Sequence, residues 1–286
     1  VTEGEELRLL ACRAANDAGQ LLKRLFGHVN PDSIFAKRTN DWVSEADRAA
    51  EASILEFLSR ELPGAAFLTE EAGYLSGSND SPWTWIIDPL DGTTNFLRGL
   101  PIWAVSIAIE SHPKTGETWG DIFAGAIAIP TFDETFSAAR GEGVRRNETP
   151  LPRLNASRPL SSALLCTGFP FRVAGYRKPY LAMLSELMEQ CANIRRPGAV
   201  AVDLCYVATG TFDGFWELDL SPWDIAAGSL IIQESGGMIT NFQGQNDILT
   251  QGDIVAGREP VLSTVLQLAA EHFPIPRQVN KAPDRN

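Results

Sequence analysis

Trp85-Ile86-Ile87-Asp88-Pro89-Leu90-Asp91-Gly92-Thr93-Thr94-Asn95-Phe96 puts two carboxylates, a conformational lock and two hydroxyls into a dozen positions. Trp85 to Ile87 read as a short buried strand. Pro89 fixes φ and lacks an amide donor, so the strand is expected to end at Asp88. Leu90 carries the chain onward, Asp91 brings a second carboxylate near the first, and Gly92 permits a tight turn whose exposed N–H groups can hold an anion. Two close carboxylates repel unless a cation lies between them, and hard oxygen donors suit Mg²⁺ or Mn²⁺.

Upstream of this stretch, Glu3 to Phe26 carries Leu7, Leu10, Ala11, Ala14, Ala18, Leu21, Leu22 and Leu25 at the spacing of an amphipathic helix, with Gly27 as its stop. Lys37, Asn40 and Asp41 fall in a polar connection to a second helix. Ser44 followed by Asp47 is a capping-box pattern opening that helix, which runs to Pro63-Gly64. Asp47 there serves the helix terminus whether or not it does chemistry. Ala65 to Thr69 is a strand ending in Glu70-Glu71. Two acids at a strand end are commonly solvated, yet strand ends are also where ligands are held. The Gly- and Ser-rich run to Pro82 reads as a surface loop.

Downstream, Ala104–Glu110, Ile122–Ile129 and Glu134–Ala139 read as strands of a sheet covered on both faces, with Gly141-Glu142-Gly143 as a hairpin turn. Pro150, Pro152 and Pro159 break the pattern, so one lobe is placed at 1–152 and a second at 153–274, followed by a tail over 275–286. The second lobe begins with a strand at Ala163–Thr167 and a loop at Gly168-Phe169-Pro170-Phe171-Arg172. A helix over Pro179–Gln190 follows, with Met183 and Met188 as core fillers. Next come a helix from Ala199 to Ala208 that opens after Arg196-Pro197-Gly198, a strand over Phe212–Leu218 containing Glu217, and a helix started by Ser221-Pro222-Trp223-Asp224. Asp224, like Asp47, can be a capping acid alone. Strands near Met238–Thr240 and Ile254–Ala256 lead to a last helix from Pro260 to His272, and the proline-bearing tail is expected to be poorly ordered.

Composition excludes several classes. A net charge of −12 argues against binding nucleic acid through its phosphates, and Arg195-Arg196 and Lys23-Arg24 read as solvated pairs. Cys12, Cys166, Cys191 and Cys205 are too scattered for a zinc or redox motif and read as buried thiols. No charged-then-apolar leader opens the chain and no apolar run is long enough to span a bilayer, from which a reducing, cytoplasmic setting without membrane contact is expected.

Hydrolysis of a phosphate ester needs its charge neutralised, a water aligned behind phosphorus and the leaving oxygen stabilised, and a pair of metal ions about 3.5–4 Å apart supplies all three. Glu70, Asp88, Asp91 and Asp224 can furnish ligands, with the Leu90 carbonyl as a further oxygen. The Thr93 hydroxyl can hold a water with Asp47 behind it as acceptor, and the Gly92 and Thr93 amides can face phosphate.

The run Asp88 to Phe96, Glu70-Glu71 after an apolar strand, and Trp223-Asp224-Ile225-Ala226-Ala227-Gly228 ahead of Glu234-Ser235-Gly236-Gly237 together resemble the signatures of the inositol monophosphatase family. The likeness extends from the first helix to about residue 270, and the bacterial-type enzymes are nearest in the Phe169 to Arg172 segment. It implies an α/β fold, a layered αβαβα sandwich of the inositol monophosphatase and fructose-1,6-bisphosphatase type, usually a homodimer, with two or three Mg²⁺ per site. Mn²⁺ would substitute, and Li⁺ and Ca²⁺ would inhibit. By the same likeness Glu70, Asp88, Leu90, Asp91 and Asp224 match metal ligands, Thr93 and Asp47 the water-activating pair, with Glu70 counted catalytic beside them, and Glu217 an acid that binds substrate hydroxyls. Gly92, Thr93, Gly198, Ala199 and Val200 match substrate contacts, with Asp224 among them.

The implied reaction is hydrolysis of a small polyol phosphate, inositol 1-phosphate foremost, with histidinol phosphate, fructose 1,6-bisphosphate and NADP as alternatives. Thr94-Asn95 stands where the nucleotide-directed branch has Thr-Lys, which weakens the last. Val200 stands where the family commonly has Ala, and Ala199 where it often has a hydroxyl, so a smaller or differently shaped leaving group is expected. An alternative of another class is a regulatory partner-binding protein whose activity is incidental.

Overall fold

A computed structural model describes residues 2–28, 35–38, 41–78, 80–114, 117–156 and 158–274. The first helix, α1 (Glu3–Leu25), begins at Thr2, whose side chain accepts from the Glu5 N–H. It carries Glu3, Glu5 and Glu6 in its first turn and Lys23 and Arg24 in its last, each sign at the end the helix dipole favours. Its apolar stripe and that of α2 (Glu45–Glu61) bury Leu7, Ala11, Ala18, Leu22, Ala50, Ile54 and Leu58 against one face of a sheet. Small residues there let helix and sheet approach closely: a Cβ built on Gly19 would lie 2.7 Å from Pro130 Cγ.

That sheet has eight strands in the order β10-β9-β8-β7-β6-β5-β3-β4. They are β3 (Ala66–Thr69), β4 (Gly73–Leu75), β5 (Trp83–Asp91), β6 (Ala104–Ser111), β7 (Ile122–Ile129), β8 (Glu134–Ala139), β9 (Val144–Arg146) and β10 (Thr149–Pro150). Only β3 and β5 pair in parallel, which brings the ends carrying Glu70 and Asp88 side by side. The second sheet has the order β12-β11-β13-β15-β14, built from β11 (Leu164–Thr167), β12 (Asn193–Arg195), β13 (Gly214–Glu217), β14 (Met238–Thr240) and β15 (Ile254–Gly257).

Between the sheets lie α5 (Val200–Ala208) and α6 (Pro222–Glu234), buried nearly all round. A helix without a polar face belongs in such a middle layer. Outside the second sheet, α4 (Arg177–Gln190) and α8 (Val261–His272), the latter following the short α7 (Ile248–Gln251), pack on Leu165, Trp216 and Val255. The result is the αβαβα sandwich, with its central core running from Ile86 and Ile127 of the first sheet through α5 and α6 to Phe215 and Ala256 of the second. Among the described residues no helix is long and apolar enough to cross a membrane.

Several local expectations are corrected. The strand does not stop at Asp88: β5 runs through Pro89 to Asp91, and its register against β6 shifts between Asp88 and Asp91, a bulge that takes up the residue with no donor. The polar connection holding Lys37 and Asp41 is instead an antiparallel ribbon of β1 (Phe35–Arg38) and β2 (Asp41–Val43), paired through Phe35 with Val43 and Ala36 with Trp42. Asn40 lies outside the described residues, as does the tail over 275–286. Strands β4, β9, β10 and β12, of two or three residues each, are too short for alternation to reveal. Met183 is buried, but Met188 is 65% exposed because it falls on the outer face of α4. Cys191, just past the end of that helix, is only half-buried, unlike the other three thiols.

Candidate active site

Each acid is positioned by a local rule and then turned toward the same place. Asp88 and Asp91 come from the bulged end of β5, and the Leu90 N–H donates to Asp88 Oδ1 at 2.9 Å. Gly92 follows with φ 86°, in the left-handed region, and starts the short helix α3 (Thr93–Leu97). A Cβ there would sit 2.9 Å from the Ile102 carbonyl and 3.1 Å from Ala199 Cβ, so the position requires glycine twice over, for its dihedral and for its room.

Glu70 emerges where β3 ends, its N–H held by the Ile87 carbonyl at 3.2 Å. Asp224 is third in α6 and accepts from the Ser221 N–H at 2.7 Å. Asp47 is third in α2, and its Oδ2 accepts from the Ser44 N–H at 2.8 Å and hydroxyl at 2.7 Å. The other oxygen of Asp47 faces Thr93, whose hydroxyl lies 3.2 Å from Asp47 Oδ1 and 3.0 Å from the Leu90 carbonyl. One hydroxyl proton thus has two acceptors and serves either.

The acids act on one another electrostatically. Asp88 is buried, and burial, followed by the charges of Glu70, Asp91 and Asp224, drives its carboxyl well above the usual carboxylate range. Asp91 is pushed up to about 7 by burial and then by Asp224, against the Ala201 N–H, which donates to its Oδ2 at 2.7 Å. Like charges gathered from a strand end, a bulge and a helix start oppose ionisation of one another unless a cation enters. Among the described residues no three such side chains already close on one point as a formed metal cage. The donor set nevertheless fits a hard divalent ion, being carboxylate and carbonyl oxygen throughout with no thiol or imidazole.

The segment expected to touch substrate is in place, but part of it is already engaged. The start of α5 gives its Ala201 amide to Asp91, so the anion at that helix start is a residue of the chain itself. Gly198 has φ 90°, and its carbonyl, with that of Pro197, accepts from Asn95 Nδ2 at 3.4 and 2.9 Å. Those bonds tie the end of the opening stretch to the second half of the chain, and Asn95 also donates to the nearby Ile102 carbonyl at 2.8 Å. This role was not read from the sequence, although Asn95 sits within the quoted stretch.

Glu217 ends β13, and burial pushes its carboxyl up to about 8, with Asp224 and Asp91 adding to the rise and Arg196 and Arg172 opposing it. Arg196 is more than half of a solvated pair: its guanidinium stands 5.9 Å from the Phe169 ring centre and 5.8 Å from that of Phe171. The two phenylalanines spaced by one proline were the available sign of that clamp.

Residues 3–273 match the inositol monophosphatase family. The chain is 43% identical to the inositol-1-monophosphatase of Mesorhizobium japonicum over 89% of its own length and 92% of that protein's. It is 40% identical to the Nus factor SuhB of Escherichia coli over 90% and 93%. Among solved structures, the extragenic suppressor protein suhB from Bartonella henselae superposes with a TM-score of 0.84 at 41% identity, over 92% of this chain and 98% of that one. The inositol monophosphatase from Anabaena gives 0.79 at 33% identity, over 94% and 97%.

Proposed function

Because the chain belongs to the inositol monophosphatase family, we propose that it is a divalent-metal-dependent phosphomonoesterase acting on a small polyol phosphate, inositol 1-phosphate foremost. One observation carries the reading: Glu70 and Asp224, from two other segments, raise the proton affinity of buried Asp88 and Asp91, on the same stretch as the Thr93 hydroxyl that faces Asp47. Glu70, Asp88, Asp91, Asp224 and the Leu90 carbonyl would hold Mg²⁺. When bound, the ions supply charge neutralisation for the phosphate and a lowered pKa for water.

The chain's own residues do the remainder. The attacking water passes a proton to Thr93 Oγ1 as the Thr93 hydroxyl proton passes to Asp47 Oδ1, 3.2 Å away. The Gly92 and Thr93 amides face the phosphate at the left-handed turn. Glu217 accepts from or donates to a hydroxyl of the leaving alcohol, and Gly198, Ala199 and Val200 wall the sugar side. Li⁺ and Ca²⁺ are expected to inhibit and Mn²⁺ to substitute. A homodimer, as the family resemblance implies, completes the reading, and light scattering of the purified chain measures its subunit count.

Phosphate release from inositol 1-phosphate, histidinol phosphate, fructose 1,6-bisphosphate and NADP, with and without Mg²⁺, is the direct test. The expected result is Mg²⁺-dependent turnover, highest on inositol 1-phosphate and lowered at least a hundredfold in Asp91→Asn. Mg²⁺ should also raise the thermal midpoint of the wild type but not of that variant, a readout independent of turnover. Metal-independent phosphate release, or full activity in Asp91→Asn, overturns the assignment.

The relatives named Nus factor SuhB favour a second role as a partner-binding protein. If Asp88→Asn abolishes turnover yet fully complements a deletion strain, that role is the one selection maintains. Failure to complement assigns the phenotype to the chemistry.

A further inference from the structure

The segment Gly168-Phe169-Pro170-Phe171-Arg172 takes no part in the chemistry above, yet the second sheet brings it against the acid that meets the leaving alcohol. Strands β11 and β13 pair in parallel with Leu165 opposite Gly214, Cys166 opposite Phe215 and Thr167 opposite Trp216. One step further along that register, Gly168 falls beside Glu217. The Thr167 hydroxyl fixes the register at this end, lying 2.7 Å from the Trp216 carbonyl and 2.6 Å from the Tyr180 hydroxyl.

With no side chain at 168, the Glu217 carboxyl folds down over the neighbouring strand. A Cβ built on Gly168 would overlap its Cδ, Oε1 and Oε2 together. The backbone conformation of Gly168 is not left-handed, so its small size rather than its dihedral freedom is what the position uses. Beyond Gly168, Phe169 and Phe171 hold the Arg196 guanidinium, whose charge acts on Glu217.

We propose that Gly168 is a specificity-determining positioning residue: its missing side chain sets where the Glu217 carboxylate lies, and hence which hydroxyl of the alcohol the site recognises. The inference rests on the phosphatase reading for its kinetic consequence, but its geometric content stands without it. The three atoms nearest to a Cβ at 168 all belong to the far end of a flexible side chain, so the change is absorbed by moving the Glu217 carboxylate. Recognition of the hydroxyl is then lost while the acids on β3, β5 and α6 stay where they are.

The test is a double-mutant cycle of Gly168→Ala and Glu217→Ala, assayed on inositol 1-phosphate and on 4-nitrophenyl phosphate, whose leaving group has no alkyl hydroxyl. Gly168→Ala should lower kcat/KM for inositol 1-phosphate about tenfold, mainly through KM, with at least a fivefold smaller effect on the aryl ester. It should do nothing further once Glu217 is Ala. Equal losses on both esters, or a full additional loss in the Glu217→Ala background, overturn the proposal.

If Gly168→Ala alone folds poorly because of the clash, the double variant, which lacks the clash, recovers the thermal midpoint of Glu217→Ala. A double variant that stays unstable counts against the proposal. Wild type that hydrolyses neither ester refutes the phosphatase reading alone. The crystal structure of Gly168→Ala then decides the inference, supporting it if the Glu217 carboxylate is displaced and refuting it if it is not.

Discussion

Asp47 caps a helix with one carboxylate oxygen and turns the other to Thr93, so on the proposed reading one side chain serves both the helix and the reaction. Oδ2 takes the Ser44 N–H and hydroxyl, while Oδ1 faces Thr93. The two roles separate by substitution. Asn at 47 keeps an oxygen for the cap but is far too weak a base to take the Thr93 proton, whereas Ala removes both functions. We expect Asp47→Asn to lower kcat by about 10²–10⁴, the range for losing a general base, with a thermal midpoint near that of wild type. Asp47→Ala should lose as much activity and a further ~1 kcal/mol of stability for the lost cap. Steady-state kinetics beside urea titration of both variants checks this, and equal stability losses in the two would show that the cap contact is immaterial.

Among the elements, what the sequence reveals is whatever a local rule governs. The capping boxes at Ser44 and Ser221, the left-handed glycine at 92 and the apolar strand ending in Glu70 each depend on a few adjacent residues, and each lies where the pattern puts it. What was missed depends on partners distant in the chain. Ala201 holds Asp91 across 110 positions, and Asn95 reaches Pro197 across 102, neither of which leaves a periodic trace. Pro89 was misread for a related reason: its lack of a donor forbids a regular ladder but not a bulge, and only pairing with β6 selects between them. Gly92 joins both kinds of information, since its φ of 86° is local while its crowding by Ile102 and Ala199 is not. Gly92→Ala should therefore cost about 1–3 kcal/mol, as expected for a non-glycine residue forced into a strained turn, and should lower activity by displacing the Thr93 amide. A variant as stable as wild type in urea would mean that the turn can adopt another conformation.

At the scale of the molecule, the alternation of helix and strand announced layers, but the order of the sheets and the identity of the middle layer follow only from how faces are buried. The link between α1 and the far edge of the first sheet is one such long-range device. Arg8, 1% exposed, sends Nε and Nη2 to both oxygens of Glu5 at 2.8 Å. Its Nη1 and Nη2 reach both oxygens of Glu148 at 2.8 and 2.7 Å, and Nη1 reaches Ser137 Oγ at 2.7 Å. The Arg8 guanidinium holds both carboxyls below the ordinary carboxylate value. A folded-state pKa below the unfolded one means that the unfolded chain binds more protons at acid pH. The network's stabilisation is therefore complete above the ordinary carboxylate pKa of about 4.5 and is lost as pH falls through the depressed folded values. Both acids are partly solvated, which limits the size of the effect. Arg8→Met should cost about 1–3 kcal/mol near pH 7, the value of hydrogen bonds to a charged group, and leave Ser137 with a buried hydroxyl lacking its donor. Urea titrations from pH 7 to pH 3 should show the gap between wild type and Arg8→Met narrowing below pH 4.5 and closing at the acid end. Parallel curves across that range would place the stabilising value of Arg8 in its packing rather than in its charge.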